Sequence, residues 1–194
     1  MNFLGHLFLS GDRPLVIVGN FMGDGVKGRD LSRFDPELEA GIRLHRAIDH
    51  FTDQHSATRE AKALIRPYAG RYSGVVADIF YDHFLAAQWH DLHDEPLDRF
   101  VERIYGLLGS YRNRMPDRIE RMVPYMVEGD WLGNYARVEG VARALMGLSR
   151  RAMNGHVMQG AEAALLEHYE ILNAGFHRFL PDIQEAMAKG RWHG

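Results

Sequence analysis

Residues Gly74–Trp89 leave a helix no polar face, and no other stretch constrains the fold as much. Val75, Val76, Ile79, Phe80, Phe84 and Leu85 would cover every side of such a helix, so it belongs in the middle of a domain. Asp78 and Asp82 interrupt this run one helical turn apart, with His83 beside the second. Like charges at that spacing repel, and each is expensive to desolvate. Such a pair persists where a cation or several donors compensate it, and a divalent metal is the simplest compensator. Arg43, Arg46 or Arg71 could instead pair with these acids in structural salt bridges.

The rest of the chain follows the same period. Strand signals are nearly absent, because no stretch alternates apolar and polar residues between turn residues. Leu44, Ile48, Phe51 and His55 share one face of a helix over 36–53, with Asp35 as N-cap and Pro36 in the first turn. Further helical patterns cover 97–111, 116–128, 134–151 and 159–179. The last has a seam of Ala161, Leu165, Leu172, Phe176 and Phe179, and Pro181 is expected to break or restart it. Residues 15–26 read as helical despite Gly19 and Gly23. The fold class expected is all-α, one helical-bundle domain over residues 1–194.

Composition narrows the chemistry. The 194 residues are 46% hydrophobic and 25% charged, the balance of a globular domain that can bury a core. With no cysteine, any metal must be held by nitrogen and oxygen ligands from His, Asp and Glu. A net charge of −3 argues against broad nucleic-acid binding. Met1–Ser10 lacks a basic start, and no segment reaches membrane length without a charge, so a cytoplasmic location and no membrane partner are expected. The glycines match neither phosphate-loop nor dinucleotide spacing, and no Ser-centred nucleophile elbow is present.

Metal chemistry is what remains. In LHRAIDHFTDQH, His45, Asp49 and Asp53 recur every four residues and line one strip beside the apolar seam. His45 and Asp49 make a good ligand pair, whereas Asp53 could simply be solvated. His6 lies inside NFLGHLFL and Asp24 follows Asn20 by one turn in VGNFMGD. Each could be structural: His6 a hydrogen-bonded core residue, Asp24 a turn residue. Of the 11 histidines, His90, His93 and His193 read as solvated, and His90-Asp91 and His93-Asp94 as a polar loop before Pro96. Glu167 and His168 read as packing and surface.

The motifs NFLGHL, GNFMGD, GIRLHRAIDHFTDQH and DIFYDHFLA, in that order, resemble acyl carrier protein phosphodiesterases. The second half is similar mainly through NYARVEGVARALMGLSRR. The resemblance implies an all-α relative of the His-Asp phosphohydrolases with an atypical ligand arrangement. It also implies hydrolysis of the phosphodiester joining phosphopantetheine to a carrier-protein serine, and a preference for Mn²⁺, with Mg²⁺ or Fe²⁺ as alternatives. The matching positions are His6, Asp24, His45, Asp49, Asp53, Asp78, Asp82 and His83. Residues Trp89–Glu95 depart from the pattern, supplying no His-Asp pair at an alignable position.

On that basis Asp24, His45, Asp49, Asp78 and Asp82 are expected to share one or two metal ions. Arg46 would offset phosphate charge, and His6 or His83 would protonate the leaving serine oxygen. General acid–base groups alone contribute about 10²–10⁴-fold, too little for a phosphodiester. Carrier proteins are acidic, so an arginine surface should dock the substrate, either Arg112, Arg114, Arg118 and Arg121 or Arg143, Arg150 and Arg151. A phosphohydrolase of nucleotides or other small phosphate esters would use the same acids. A non-catalytic helical module would use them structurally.

Overall fold

A computed structural model describes residues 1–190, which leaves His193 outside the described residues. These residues form α-helices and short 3₁₀ turns, with no strand among them. In chain order the helices are α1 (Phe3–Phe8), α2 (Pro14–Phe21), α3 (Pro36–Gln54), α4 (Ser56–Ala69), α5 (Ser73–Ala87) and α6 (Trp89–Leu92). Then come α7 (Leu97–Ser110), α8 (Asp117–Glu128), α9 (Trp131–Asn134), α10 (Val138–Ser149), α11 (Glu162–Glu167) and α12 (Tyr169–Ala188). Among the described residues, no helix is long and apolar enough to cross a membrane.

The apolar helix is central, as its composition requires. Residues Ile79–Ala86 of α5 are all buried, and α1, α4, α6, α10 and α12 pack against it. The most extensive helix pair is α2 on α3, with α1 packed against both α2 and α5. Glycine makes that pair possible: a Cβ on Gly41 would stand 2.2 Å from the Val16 carbonyl oxygen, and one on Gly19 2.2 Å from that of Leu38. Bare backbones therefore touch where α2 and α3 cross.

The start of α3 follows from its sequence. Asp35 accepts the Glu37 N–H at 3.0 Å, Pro36 opens the helix, and Glu37 and Glu39 face its positive end. His55 ends α3 and caps α4, its Nδ1 accepting the Ala57 N–H at 3.2 Å.

Helix α4 has no counterpart in the sequence reading. Its buried stripe is Ala57, Ala61, Ile65 and Ala69, correctly spaced but mostly alanine, so little hydrophobic contrast marks it. Of the pattern over 134–151, α10 covers Val138–Ser149; α9 ends at Asn134, the Tyr135 carbonyl accepts from the His83 ring, and Arg137 is extended before α10 starts. The pattern over 159–179 splits at His168. Pro181 does not break α12, which continues to Ala188 with Ile183 fully buried beyond it. Packing on both sides of the proline outweighs the one hydrogen bond it removes. Residues 89–92 form a short helix; His90 is exposed, whereas His93 stacks on Trp89 at 4.9 Å and its Nδ1 accepts the Glu95 N–H.

Candidate metal centre

Three elements converge beside α5. Helix α1 brings His6, the 3₁₀ turn Gly23–Gly25 after α2 brings Asp24, and α3 brings His45 and Asp49 one turn apart. Nε2 of His6 lies 3.1 Å from Asp49 Oδ1, and Nε2 of His45 lies 3.2 Å from Asp49 Oδ2. Nε2 of His45 is also 3.4 Å from Asp24 Oδ1. The two imidazoles stack with centroids 4.2 Å apart. Gly23 leaves room for this, since a Cβ there would meet His45 Cγ at 2.3 Å.

Asn20, fully buried on α2, sets the tautomer of His6. Its Nδ2 donates to the His6 carbonyl and to Ser10 Oγ, both at 2.8 Å, so its Oδ1 must be an acceptor. His6 Nδ1, 2.9 Å from that oxygen, therefore carries the proton. Neutral His6 then aims the Nε2 lone pair at an Asp49 oxygen, an arrangement that repels unless a cation lies between them. Burial, with His45 nearby, keeps the His6 pKa low, so a second proton is disfavoured. Ligand atoms of His6, His45 and Asp49 all fall within 4.8 Å of one another, and two imidazoles with a carboxylate suit a divalent transition metal. The residues fit such an ion, with Asn20 holding one ligand as buried second neighbours commonly do.

The electrostatics agree. Burial acts to raise the Asp49 pKa, yet the hydrogen bond from His45 holds it well below the usual carboxylate range. The hydrogen bond to His45 lowers that of Asp24. Burial acts to lower the His45 pKa, but Asp24 and Asp49 raise it to about 9. A folded-state pKa above the ordinary 6.5 means stability fully present below 6.5 and lost as pH rises through about 9. Cation-free protein should therefore lose melting temperature between about pH 7.5 and 10, and His45→Asn should flatten that decline. Thermal unfolding in chelator across that range checks this. Cation binding competes with the same proton, so affinity should rise with pH.

The structure brings His6, Asp24, His45 and Asp49 together; Asp53 and Asp78 line the same cavity with other partners, and Asp82, Arg46 and His83 are engaged away from the cluster. Asp82 is fully buried, but its oxygens accept the N–H groups of Asn2 (3.1 Å), Leu4 (2.7 Å) and Gly5 (3.1 Å). It thereby holds the first turn of α1. Burial pushes its carboxyl up to about 7, against the pull of the Met1 ammonium and these donors. Asp78 faces the same cavity as the cluster but pairs with the Met1 amino group at 2.9 Å. Asp53 is exposed and held by Lys62 at 2.6 Å. Arg46 turns away to the carbonyls of Val26 and Gly28. His83 is buried on another side of α5, donating from Nδ1 to the Tyr135 carbonyl at 2.8 Å.

Asp82→Ala would strand the N–H groups of Asn2, Leu4 and Gly5, at about 1–3 kcal/mol each. It should therefore lower thermal stability and loosen His6, rather than remove a ligand from an intact fold. Melting curves and cation titrations of that variant test this.

The cluster lies in a cavity of about 410 Å³, also lined by Phe3, Thr52, Arg118 and Arg151. The sequence reading did not place Asn20 or Thr52 at the site. An amide inside the apolar run VIVGNF was the available signal for Asn20. Thr52, buried with its hydroxyl unpartnered, carried none.

An all-α fold with two buried histidines and a half-exposed carboxylate in an arginine-lined cavity defines a protein with a candidate metal centre. The family profile of acyl carrier protein phosphodiesterase matches residues 1–183, and the chain belongs to that family. It is 32% identical to the acyl carrier protein phosphodiesterase of Klebsiella pneumoniae subsp. pneumoniae over 94% of this chain and 95% of that one. The Yersinia pestis protein of the same name is 30% identical over 94% of this chain and 95% of its own. That of Photorhabdus laumondii is 29% identical over 95% and 94% respectively. No solved structure matches the chain.

Proposed function

We propose that the protein is a divalent-metal phosphodiesterase that hydrolyses the bond between phosphopantetheine and a serine of acyl carrier protein, releasing apo-carrier and 4'-phosphopantetheine. Family membership supports the substrate, and the His6–Asp49–His45 geometry carries the metal dependence. His6, His45 and Asp49 would hold the ion with Asp24 beside them, and Mn²⁺ is the proposed occupant. When bound, such an ion offsets charge on phosphorus oxygens and lowers the pKa of water from about 15.7 to roughly 7. Kinship with the His-Asp phosphohydrolases is part of this proposal, with an atypical pair: His45 and Asp49 stand one helical turn apart and are not adjacent.

The chain's own residues do the rest. Arg118 and Arg151 line the cavity and take the charge-offsetting role expected of Arg46, meeting the non-bridging oxygens. Asp24, exposed and anionic, accepts a hydrogen bond from the attacking water and orients it for in-line displacement. Arg118 and Arg151, one from each of the two clusters read in the sequence, line the same cavity and suit an acidic carrier surface. Arg118→Glu should slow carrier association and weaken its dependence on salt. Stopped-flow binding at two ionic strengths checks this.

The test of the function is intact mass of holo-acyl carrier protein after incubation with the protein, with Mn²⁺ or with chelator. Loss of the arm only with the cation supports the reading. An intact carrier under both conditions, alongside turnover of nucleotides, would move the activity to a small phosphate ester.

A further inference from the structure

Beside the cluster cavity opens an annex of about 250 Å³, and the two share Asn2, Phe3, Leu148 and Arg151 as walls. The annex is mostly apolar, with Asn134 and Arg143 also on its wall, and Gly129, Gly140, Ala144 and Gly147 leave it room. Trp131 and Tyr135 supply aromatic walls. Arg151 stands at the junction, its guanidinium 5.8 Å from the Trp131 ring centre and its Nε donating to the Gly147 carbonyl at 3.1 Å.

The junction also offers polar groups that remain available. Asn2 donates from Nδ2 to the Tyr135 hydroxyl at 2.7 Å. That leaves the Tyr135 proton without an acceptor and Asn2 Oδ1 without a donor among the described residues. One free donor and one free acceptor at an apolar throat suit an amide group.

We propose that the annex binds the pantetheine portion of the substrate arm, an inference that rests on the phosphodiesterase reading above. Pantetheine is slim, branched with methyl groups and interrupted by amides, which matches an apolar annex with an amide-sized polar pair at its throat. The phosphodiester then lies between the cluster and Arg151, the arm runs past Arg151 into the annex, and the carrier stays outside. The serine oxygen is the leaving group, so the phosphorylated arm is the product held in the annex. Free 4'-phosphopantetheine should accordingly inhibit by competing with holo-carrier.

Gly147 provides the test, because a Cβ there meets nothing within 4 Å and its helix, α10, gains propensity when glycine is replaced. Gly147→Leu should melt no lower than wild type and bind Mn²⁺ with unchanged affinity by calorimetry. It should lower kcat/KM for holo-carrier at least 10-fold and abolish the saturable shift that pantetheine induces in the Trp131 indole resonance of metal-free protein. Ala144→Leu should repeat the pattern should Gly147→Leu fold poorly. A wild type that leaves holo-carrier intact in Mn²⁺ defeats the parent reading and this one with it. A wild type that cleaves it, with both variants cleaving and binding pantetheine equally well, overturns the annex assignment alone.

Discussion

Asp49→Ala is expected to lower turnover of holo-carrier by at least about 10³-fold, the upper end for losing one preorganised electrostatic contact. Among the described residues, Asp49 alone pairs with both histidines, through a different oxygen to each. Its removal leaves two stacked imidazoles with no carboxylate between them, and the cation loses its central anionic ligand. His45 would keep only exposed Asp24, so its raised pKa should fall back toward the ordinary value. The loss should therefore appear in two independent readouts: steady-state turnover, and a flattened melting curve of cation-free protein above pH 7.5. Near-wild-type turnover with unchanged Mn²⁺ affinity would remove Asp49 from the centre.

Gly41→Ala should have the largest effect on the fold. The added Cβ would lie 2.2 Å from the Val16 oxygen, 2.7 Å from the Asn20 nitrogen and 2.8 Å from the Gly19 Cα. All three are backbone atoms, so no side chain can swing aside, and α2 must move off α3. Overpacking usually costs about 1–3 kcal/mol, and a backbone clash of this kind should approach 4 kcal/mol. For a domain of this size that lowers the melting temperature by about 10 °C. The site should suffer as well, because α2 carries Asn20, which orients His6, and leads into Asp24. Thermal unfolding and Mn²⁺ titration of the variant measure both losses, and an unaltered melting point would refute the close-packed α2–α3 contact.

The sequence revealed the strongest signals of this architecture. Helix α5 was legible because an all-round apolar segment has few places to go, and α3 because its cap, first-turn proline and periodic face agree. Helix α4 was not, since alanine at every fourth position hardly differs from a solvated helix. At the site, the four-residue spacing of His45 and Asp49 on one face was enough to mark them.

Asp78 and Asp82 find donors that their spacing alone could not reveal: the Met1 ammonium for Asp78 and backbone N–H groups at the start of α1 for Asp82, nearly eighty positions away in sequence. Arg46 follows His45 by one position, and one step along a helix rotates a side chain by about 100°, which carries Arg46 away from the cluster. Asn20 shows the reverse case: its importance lies in the buried hydrogen bonds it completes, and those depend on α1 and α2 meeting in space.

The most direct test is a crystal grown with Mn²⁺ and an anomalous difference map at the manganese edge. The account expects a peak bonded to His6 Nε2, His45 Nε2 and the Asp49 carboxylate, with Asp24 adjacent. A peak bound instead by Asp78 and Asp82, or none at saturating Mn²⁺, would contradict it.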